Sequence, residues 1–422
     1  MEAYWGLTRA HGFHGVLDGA ERAAAQGISL AEQAGDAWIG GLIRVSLGAT
    51  YVLARKVDLA AEWLAQALNV FHECGDTYGQ AITRLWQCLL WQDAEDTLRL
   101  TRGLELLLRL VREQHYEGLL TQQTLLGPRD PRRIIPLLLY AWGSDIERAF
   151  AGELLAHWGI AGGAFHPGFQ LRVQTLGAFR VWRGLEEVSP QEWRRESARQ
   201  LFQLLLGYRR QLLERDQILE LLWPGQEPEI ALRDFKVALS TAFKVLEPER
   251  KANAPSAFIV REGTLYGWRA DADVILDVEQ YEQAIASGDA LWAREPDAAL
   301  VQYRVALAFY QGDYLQEYPY AEWAAEERER LRGLYVRTAE RLAQVLAERG
   351  AWAEVIEVCE ALLLRDNFWE EAYRLLMTAQ ARLGNRPQVL RAYQRCVDAL
   401  REELDVAPSE ETVQVYATVN VD

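Results

Sequence analysis

No stretch of this 422-residue chain stays apolar for long. The longest such run, Ile134 to Trp142, contains Pro136 and falls well short of the roughly 20 residues that cross a bilayer, so no membrane partner is expected. The chain does not open on a charged segment followed by an apolar one, which argues against a secretory leader. Cys74, Cys88, Cys359 and Cys396 form no CxxC pair and sit in helical apolar patterns. They are expected to be reduced, buried small side chains of a cytoplasmic protein. Catalytic signatures are missing as well: the sequence has no G-x-S-x-G, no H-E-x-x-H, no EF-hand loop and no paired cysteine zinc ligands. His11 and His14 have only Asp18 and Glu21 close by, and His157 and His166 have no partner at ligand spacing. There is no G-x-x-x-x-G-K-S/T and no Gly-Lys dipeptide at all, so no ATP site is expected. The reading is a protein that is not an enzyme and that carries no metal or cofactor.

Lysine is scarce too, and its placement is informative. Three of the four lysines fall between residues 169 and 270, where 16 Lys plus Arg stand against 13 Asp plus Glu. That segment is formally +3, so with a total of −16 the rest of the chain carries −19. An acidic whole argues against a nucleic-acid partner, whereas a basic middle argues for one that is held locally. At +3, binding by a single copy is expected to be weak at physiological salt.

The basic middle centres on EIALRDFKVALSTAFKVL, Glu229 to Leu246. At 100° per residue, Leu232, Phe235, Leu239, Ala242, Phe243 and Leu246 share an apolar arc. Arg233, Lys236, Val237, Ser240, Thr241 and Lys244 share the opposite one. Such a face suits a helix in a major groove, where base edges and phosphates meet Arg, Lys, Ser and Thr. Two short amphipathic helices precede it, Arg199 to Leu206 and Arg215 to Trp223, joined by a loop containing Arg209 and Arg210. Pro224 and Gly225 stop the second helix. Phe258 to Arg261 and Leu265 to Arg269, separated by Glu262, Gly263 and Thr264, read as a hairpin, and a hairpin after a candidate recognition helix reads as a wing. The bland alternative is a three-helix core segment with a surface hairpin.

Residues 1 to 158 read as helices throughout. Gly35-Asp36 and Gly75-Asp76 lie forty residues apart, each pair ending one helix and capping the next, as in a helix-hairpin solenoid; a plain helical bundle is the alternative. Met1 to Gly19, rich in Gly and aromatics, offers no capping helix, which suggests a longer parent chain or a partner at that end. Residues 159 to 169 form a Gly-rich linker. Leu171 to Val173 and Phe179 to Trp182 alternate as strands. Trp182, Trp193 and Trp223 are expected to pack between strands and helices, although Trp193, beside Arg194 and Arg195, could instead touch DNA backbone. From Val274 onward the chain reads as helical again, with Ala347-x-x-Gly350 and Ala381-x-x-Gly384 at the 34-residue tetratricopeptide period.

These residues carry a family resemblance. LRVQTLGAFRV (171–181), SARQLFQLLL (197–206), DQILELLWP (216–224), the 229–246 helix, YAEWAAEERERL (320–331) and RAYQRCVDALREELDVAPSEET (391–412) occur in order. Over some 250 residues the chain resembles bacterial transcriptional activators of the antibiotic-regulatory (SARP-like) type, which join an OmpR-like winged helix to a bacterial transcriptional activator domain. The N-terminal part resembles the tetratricopeptide-like arrays of maltose-activator-type regulators. One departure is that the family usually places Arg where this chain has Thr241 and Phe243.

The resemblance and the pattern together predict a mainly α protein, with tetratricopeptide-like repeats on both sides of a central α+β winged helix-turn-helix. The expected divisions are 1–158 (repeats), 159–169 (linker), 170–270 (winged helix) and 271–422 (activator domain). The expected function is sequence-specific binding of double-stranded DNA at repeated half-sites. Arg233, Lys236, Val237, Ser240, Thr241 and Lys244 would face the groove, with Arg261 and Thr264 on the wing and Arg195 on the backbone. Arg209 and Arg210 are candidates for phosphate contact or, as the resemblance implies, for docking RNA polymerase. The helical flanks would serve self-association and a signalling partner. The rival reading is a protein-interaction scaffold whose winged helix does not read DNA, favoured by the acidic charge and by Thr241 and Phe243. A ligand-binding N-terminal array is a third possibility, with no ligand named by the sequence.

Overall fold

The computed structural model describes residues 1–160, 165–251 and 254–421, without the side chains at 403, 420 and 421. Residues 161–164 of the Gly-rich segment therefore lie outside the described residues. The chain divides into two compact units. The first comprises Met1–Gln170 with Phe243–Val260 and Asp271–Asp273, and the second Leu171–Ala242, Arg261–Ala270 and Val274–Asp422.

The first unit is a stack of helices: α1 (Glu2–Phe13), α2 (Leu17–Ala34), α3 (Ala37–Leu53), α4 (Val57–Glu73), α5 (Thr77–Asp93), α6 (Thr97–Gln114), α7 (Gly118–Thr121), α8 (Ile135–Gly143) and α9 (Arg148–His157). Its turns fall on a strict period. Gly15, Gly35, Arg55, Gly75, Glu95 and His115 all have positive φ, one every twenty residues, so each forty-residue repeat is one helical hairpin. Asp36, Asp76 and Asp96 each follow such a turn and accept the backbone N–H three residues on, satisfying a donor the helix leaves open. Buried Ile43, Leu64, Phe71, Trp86 and Leu108 run through a continuous core. The expectation of no opening helix is overturned. α1 forms despite its glycines because packing supplies what propensity lacks: Trp5 Nε1 donates to Ser46 Oγ at 3.1 Å, and a Cβ on Gly12 would meet Thr50 Oγ1 at 2.0 Å. Cys88 is buried as expected, but Cys74 ends α4 at an exposed turn.

The second unit opens with β1 (Leu171–Gln174), β2 (Arg180–Arg183) and β3 (Glu186–Glu187). It continues through α10 (Glu196–Gly207), β4 (Leu213–Glu214), α11 (Arg215–Leu222), α12 (Pro228–Leu246), β5 (Ile259–Glu262) and β6 (Leu265–Trp268). The segment from Val274, expected from its sequence to be helical, begins instead with β7 (Val274–Leu276). This strand lies parallel to β1, with Leu171 opposite Val274 and Val173 opposite Leu276, in a sheet ordered β3-β2-β1-β7. Three apolar residues are too short a run to separate strand from helix by periodicity. Asp277, next in the chain, is buried and accepts from Thr175 N (2.7 Å), Thr175 Oγ1 (2.8 Å) and Leu176 N (2.7 Å). The segment containing β1 and the segment from Val274 onward are therefore joined by sheet pairing and buried hydrogen bonds.

The remaining helices are α13 (Asp277–Leu291), α14 (Pro296–Phe309), α15 (Glu322–Glu348), α16 (Trp352–Leu363), α17 (Glu370–Arg382), α18 (Arg386–Leu404) and α19 (Glu410–Val421). Gly350 and Gly384, 34 residues apart, both take left-handed backbone and end the first helix of successive hairpins. Val355 and Val389, at equivalent positions after them, are fully buried. Tyr281, Tyr310, Tyr314 and Tyr335 form the aromatic centre of this core. The protein is thus mainly α, with helical repeats on both sides of a small α+β winged helix. No helix among the described residues is long and apolar enough to cross a membrane.

Candidate nucleic-acid interface

The candidate recognition helix is α12. Ala231, Phe235, Ala238, Ala242, Val245 and Leu246 are its buried residues. The buried arc is thus rotated slightly from the sequence reading, since Leu232, Leu239 and Phe243 are only half-buried. Small residues on this arc let the helix sit close to its neighbours, and Phe235 anchors it, edge-on to Tyr266 of β6 with ring centroids 5.0 Å apart. On the other side Arg233, Lys236, Ser240 and Lys244 are exposed, and Val237 and Thr241 are half-exposed. Lys236 and Lys244 make no ion pair among the described residues, whereas Arg233 leans on Asp234 at 3.2 Å. Thr241 donates its hydroxyl proton to Val237 O at 2.9 Å, leaving that oxygen as an acceptor. Phe243 carries the guanidinium of Arg250 4.3 Å above its ring, so a cation is present where the chain itself has an aromatic residue.

The wing is as short as its turn. Gly263 adopts φ +64° between β5 and β6, in a sheet ordered β4-β6-β5. Arg261 Nε donates to Gly263 O at 3.1 Å and its guanidinium lies 5.6 Å from the Tyr266 ring, which fixes the side chain along the hairpin. Thr264 is exposed, and its carbonyl accepts from Arg215 N at 2.9 Å. Arg195 is exposed at the N-cap of α10, and Arg194 beside it is also exposed. Trp193 is buried and stacks on Phe202, which also meets Phe179 and Trp268. Its role is therefore packing, and the alternative of a contact to DNA backbone falls away.

Arg209 is not the open loop cation that the sequence suggested. Its side chain is only 7% exposed and sits within ion-pair distance of Glu279 (3.1 Å), Glu327 (3.7 Å) and Glu282 (3.8 Å). Three carboxylates of the activator domain thus consume its charge, and phosphate has no access to it. Burial works against the charge of Glu327, yet Arg330 and Arg209 together keep its carboxyl below the usual range. Arg210, next in the chain, stays 78% exposed with Glu282 at 3.6 Å.

The segment after α12 carries a feature that sequence reasoning missed. Glu247 is buried and accepts from Ser256 Oγ and from Ala257 N at 2.8 Å, tying the end of α12 to the start of the following segment. The chain after α12 is charge-paired to the array: Glu249 with Arg55, and Lys251 with Glu95 at 3.4 Å. Arg55 and Glu95 hold the left-handed turn position that Gly15 holds one and two repeats earlier. A non-glycine residue there costs about 1–2 kcal/mol. The signal in the sequence was opposite charges at one repeat position, visible only once the forty-residue register is set by Gly15. Nearby, Asp273 accepts from Arg132 Nε (2.7 Å) and Gln170 Nε2 (2.5 Å), with His166 Nε2 at 3.5 Å. Burial alone would raise this carboxyl, but the hydrogen bonds from Gln170 and Arg132, with His166 close by, outweigh it and hold it at about 2.

Comparison with known proteins finds similarity over part of the chain. Residues 276–420 match the family described as bacterial transcriptional activator domain. The chain is 26% identical over 255 residues to the regulatory protein AfsR of Streptomyces griseus, covering 59% of this chain and 24% of that protein. It is 27% identical over 248 residues to AfsR of Streptomyces coelicolor, covering 56% and 23%. It thus spans about a quarter of the length of these curated relatives. Among solved structures, Mycobacterium tuberculosis EmbR in complex with a low-affinity phosphopeptide is similar at 18% identity and TM-score 0.48, covering 60% of this chain and 65% of that one. Residues 276–420 are thus similar to bacterial transcriptional activator domains, and the chain is similar to SARP-like bacterial transcriptional activators.

Proposed function

We propose that this chain is a cytoplasmic, sequence-specific DNA-binding regulator that activates transcription from promoters with repeated half-sites. The observation that carries the reading is the exposed arc of α12, where Arg233, Lys236, Ser240 and Lys244 stand clear of the core in the basic segment of an acidic chain. Those groups would be shared between base edges and phosphates, with Val237 and Thr241 meeting base edges and thymine methyls. Arg261 and Thr264 would follow the backbone beside the groove, and Arg195 would touch a flanking phosphate. Residues 170–270 act here as the reading domain and 271–422 as the self-associating domain. The 1–158 array takes a signalling partner, with 159–169 as the linker between array and reader. Contact with RNA polymerase rests on Arg210, because Arg209 is consumed within the protein. No step in this scheme calls for catalysis or a cofactor.

The test is selection of bound duplexes from random DNA with the full chain, followed by affinity measured at two salt concentrations. A short repeated motif should be enriched, and binding should weaken steeply with salt. The variant Lys236→Glu/Lys244→Glu should bind more weakly at every sequence. Folded protein that enriches nothing and binds without salt dependence would instead favour the scaffold reading.

A further inference from the structure

Lysine is nearly absent from this chain, and the fold draws its four copies toward one end of α12. Lys236 and Lys244 lie on the exposed arc of that helix, and Lys251 follows soon after it ends. The fourth, Lys56, belongs to the array, at the N-cap of α4. Nothing in its place in the sequence links it to the other three. The link is Arg55 beside it, which pairs with Glu249 in the chain that follows α12. Lys251 is held in turn by Glu95, at the equivalent turn of the next repeat, at 3.4 Å. Lys56, Lys244 and Lys251 all fall in the first compact unit. The stretch from Lys244 to Glu249 begins as helix and reaches less than about 18 Å, so the turn at Arg55 and Lys56 is tethered beside the C-terminal end of α12.

The carboxylates around this turn are already engaged. Glu249 is paired with Arg55, Glu95 with Lys251, and Asp93 with Arg133 at 2.7 Å. Asp96 caps α6, accepting from Arg99 N at 3.1 Å. Asp58 lies in the first turn of α4, where the open backbone N–H groups of the helix favour an anion. Lys56 itself is exposed and has no ion-pair or hydrogen-bond partner among the described residues. A free ammonium among neutralised neighbours is a point charge for an anion, and lysine suits a phosphate backbone because it demands no fixed geometry. Duplex DNA carries a phosphate about every 3.4 Å along each strand, so a strand that passes Lys244 has further phosphates over the distance to the array turn.

We infer that Lys56 holds a DNA phosphate flanking the half-site, which makes the helical array part of the DNA-binding surface. The contact rests on the reading of α12 as the recognition helix and adds to it a cation from outside residues 170–270. The Arg55–Glu249 pair keeps the turn in place beside the helix.

The experiment is fluorescence anisotropy of the full chain on a duplex carrying the selected motif and a full helical turn of flanking DNA on each side, over a series of salt concentrations. Lys56→Gln should lower the slope of log affinity against log salt by about one and weaken binding equally at every sequence. Lys56→Arg should restore both. The Lys56 side chain is exposed and makes no capping bond to α4, so these replacements leave the fold intact. Arg22→Gln, which removes an exposed charge from α2, should leave the slope unchanged. An unchanged slope for Lys56→Gln, on a duplex whose binding the Lys236→Glu/Lys244→Glu variant weakens, overturns the contact and leaves the reading of α12 standing. An equal fall for Arg22→Gln also overturns it, because the effect is then one of net charge. Folded wild-type protein that binds no duplex removes the reading and the contact together.

Discussion

Asp273 shows how much one side chain can hold. Its carboxylate accepts from Arg132 and Gln170 and lies beside His166, and its pKa is held at about 2. A carboxylate whose folded pKa is depressed contributes stability that is present above its unfolded value, near 4, and is lost as pH falls through the folded value. The window is thus pH 4 to 2, and the contribution is at most about 3 kcal/mol. Asp273→Asn should flatten the acid limb of the stability curve in that window, measured by urea unfolding at stepped pH. Lys236 and Lys244 belong to this scale as well. Each phosphate contact removed should lower the slope of log affinity against log salt by about one, so the double lysine-to-glutamate variant is expected to lose about two. These lysines were legible because an exposed helical arc follows from spacing alone. The pairing of Arg209 was not, because its three carboxylates come from residues 279, 282 and 327, which no local pattern brings to it.

Elements were read well where their periodicity was long and poorly where it was short. α10, α11, α12 and the β5–β6 hairpin fall within a few residues of the sequence reading. The two misses have different origins. α1 was passed over because its glycines and aromatics are poor helix formers in isolation, yet packing on α3 holds it. β7 was read as helix because three residues carry no period. Asp277 ties that strand down. Asp277→Ala would leave the Thr175 and Leu176 N–H groups buried without partners and should cost about 3 kcal/mol. Chemical denaturation against wild type measures it. The pairs between the array turns and the chain after α12 are exposed and individually small, about 0.5 kcal/mol each. Arg55→Glu should therefore destabilise slightly, and Glu249→Arg added to it should restore the loss, a coupling that a double-mutant cycle resolves.

At the scale of the molecule, charge is divided by region. A middle segment of +3 is carried by flanks of −19, and under the proposed function the flanks would repel the polyanion that the middle attracts. Under that proposal single-copy binding is expected to be weak, with affinity gained from a second copy on a neighbouring half-site. Fluorescence anisotropy should show a duplex with two half-sites binding at least 100-fold tighter than a duplex with one. Equal affinity for the two duplexes would remove self-association from the scheme.

The parallel pairing of β7 with β1 also bears on inheritance. A strand that enters the sheet of β1 from beyond residue 270 makes the segment from Leu171 and the segment from Val274 one exchangeable cassette. A crossover near residue 270 would strip β1 of a neighbour and leave Asp277 behind with the wrong fragment. A crossover just before Leu171 breaks neither. Gene fusions that trade the N-terminal array for another sensor should therefore be joined ahead of the first strand, and chimaeras cut at 270 should aggregate through the bared edge of β1.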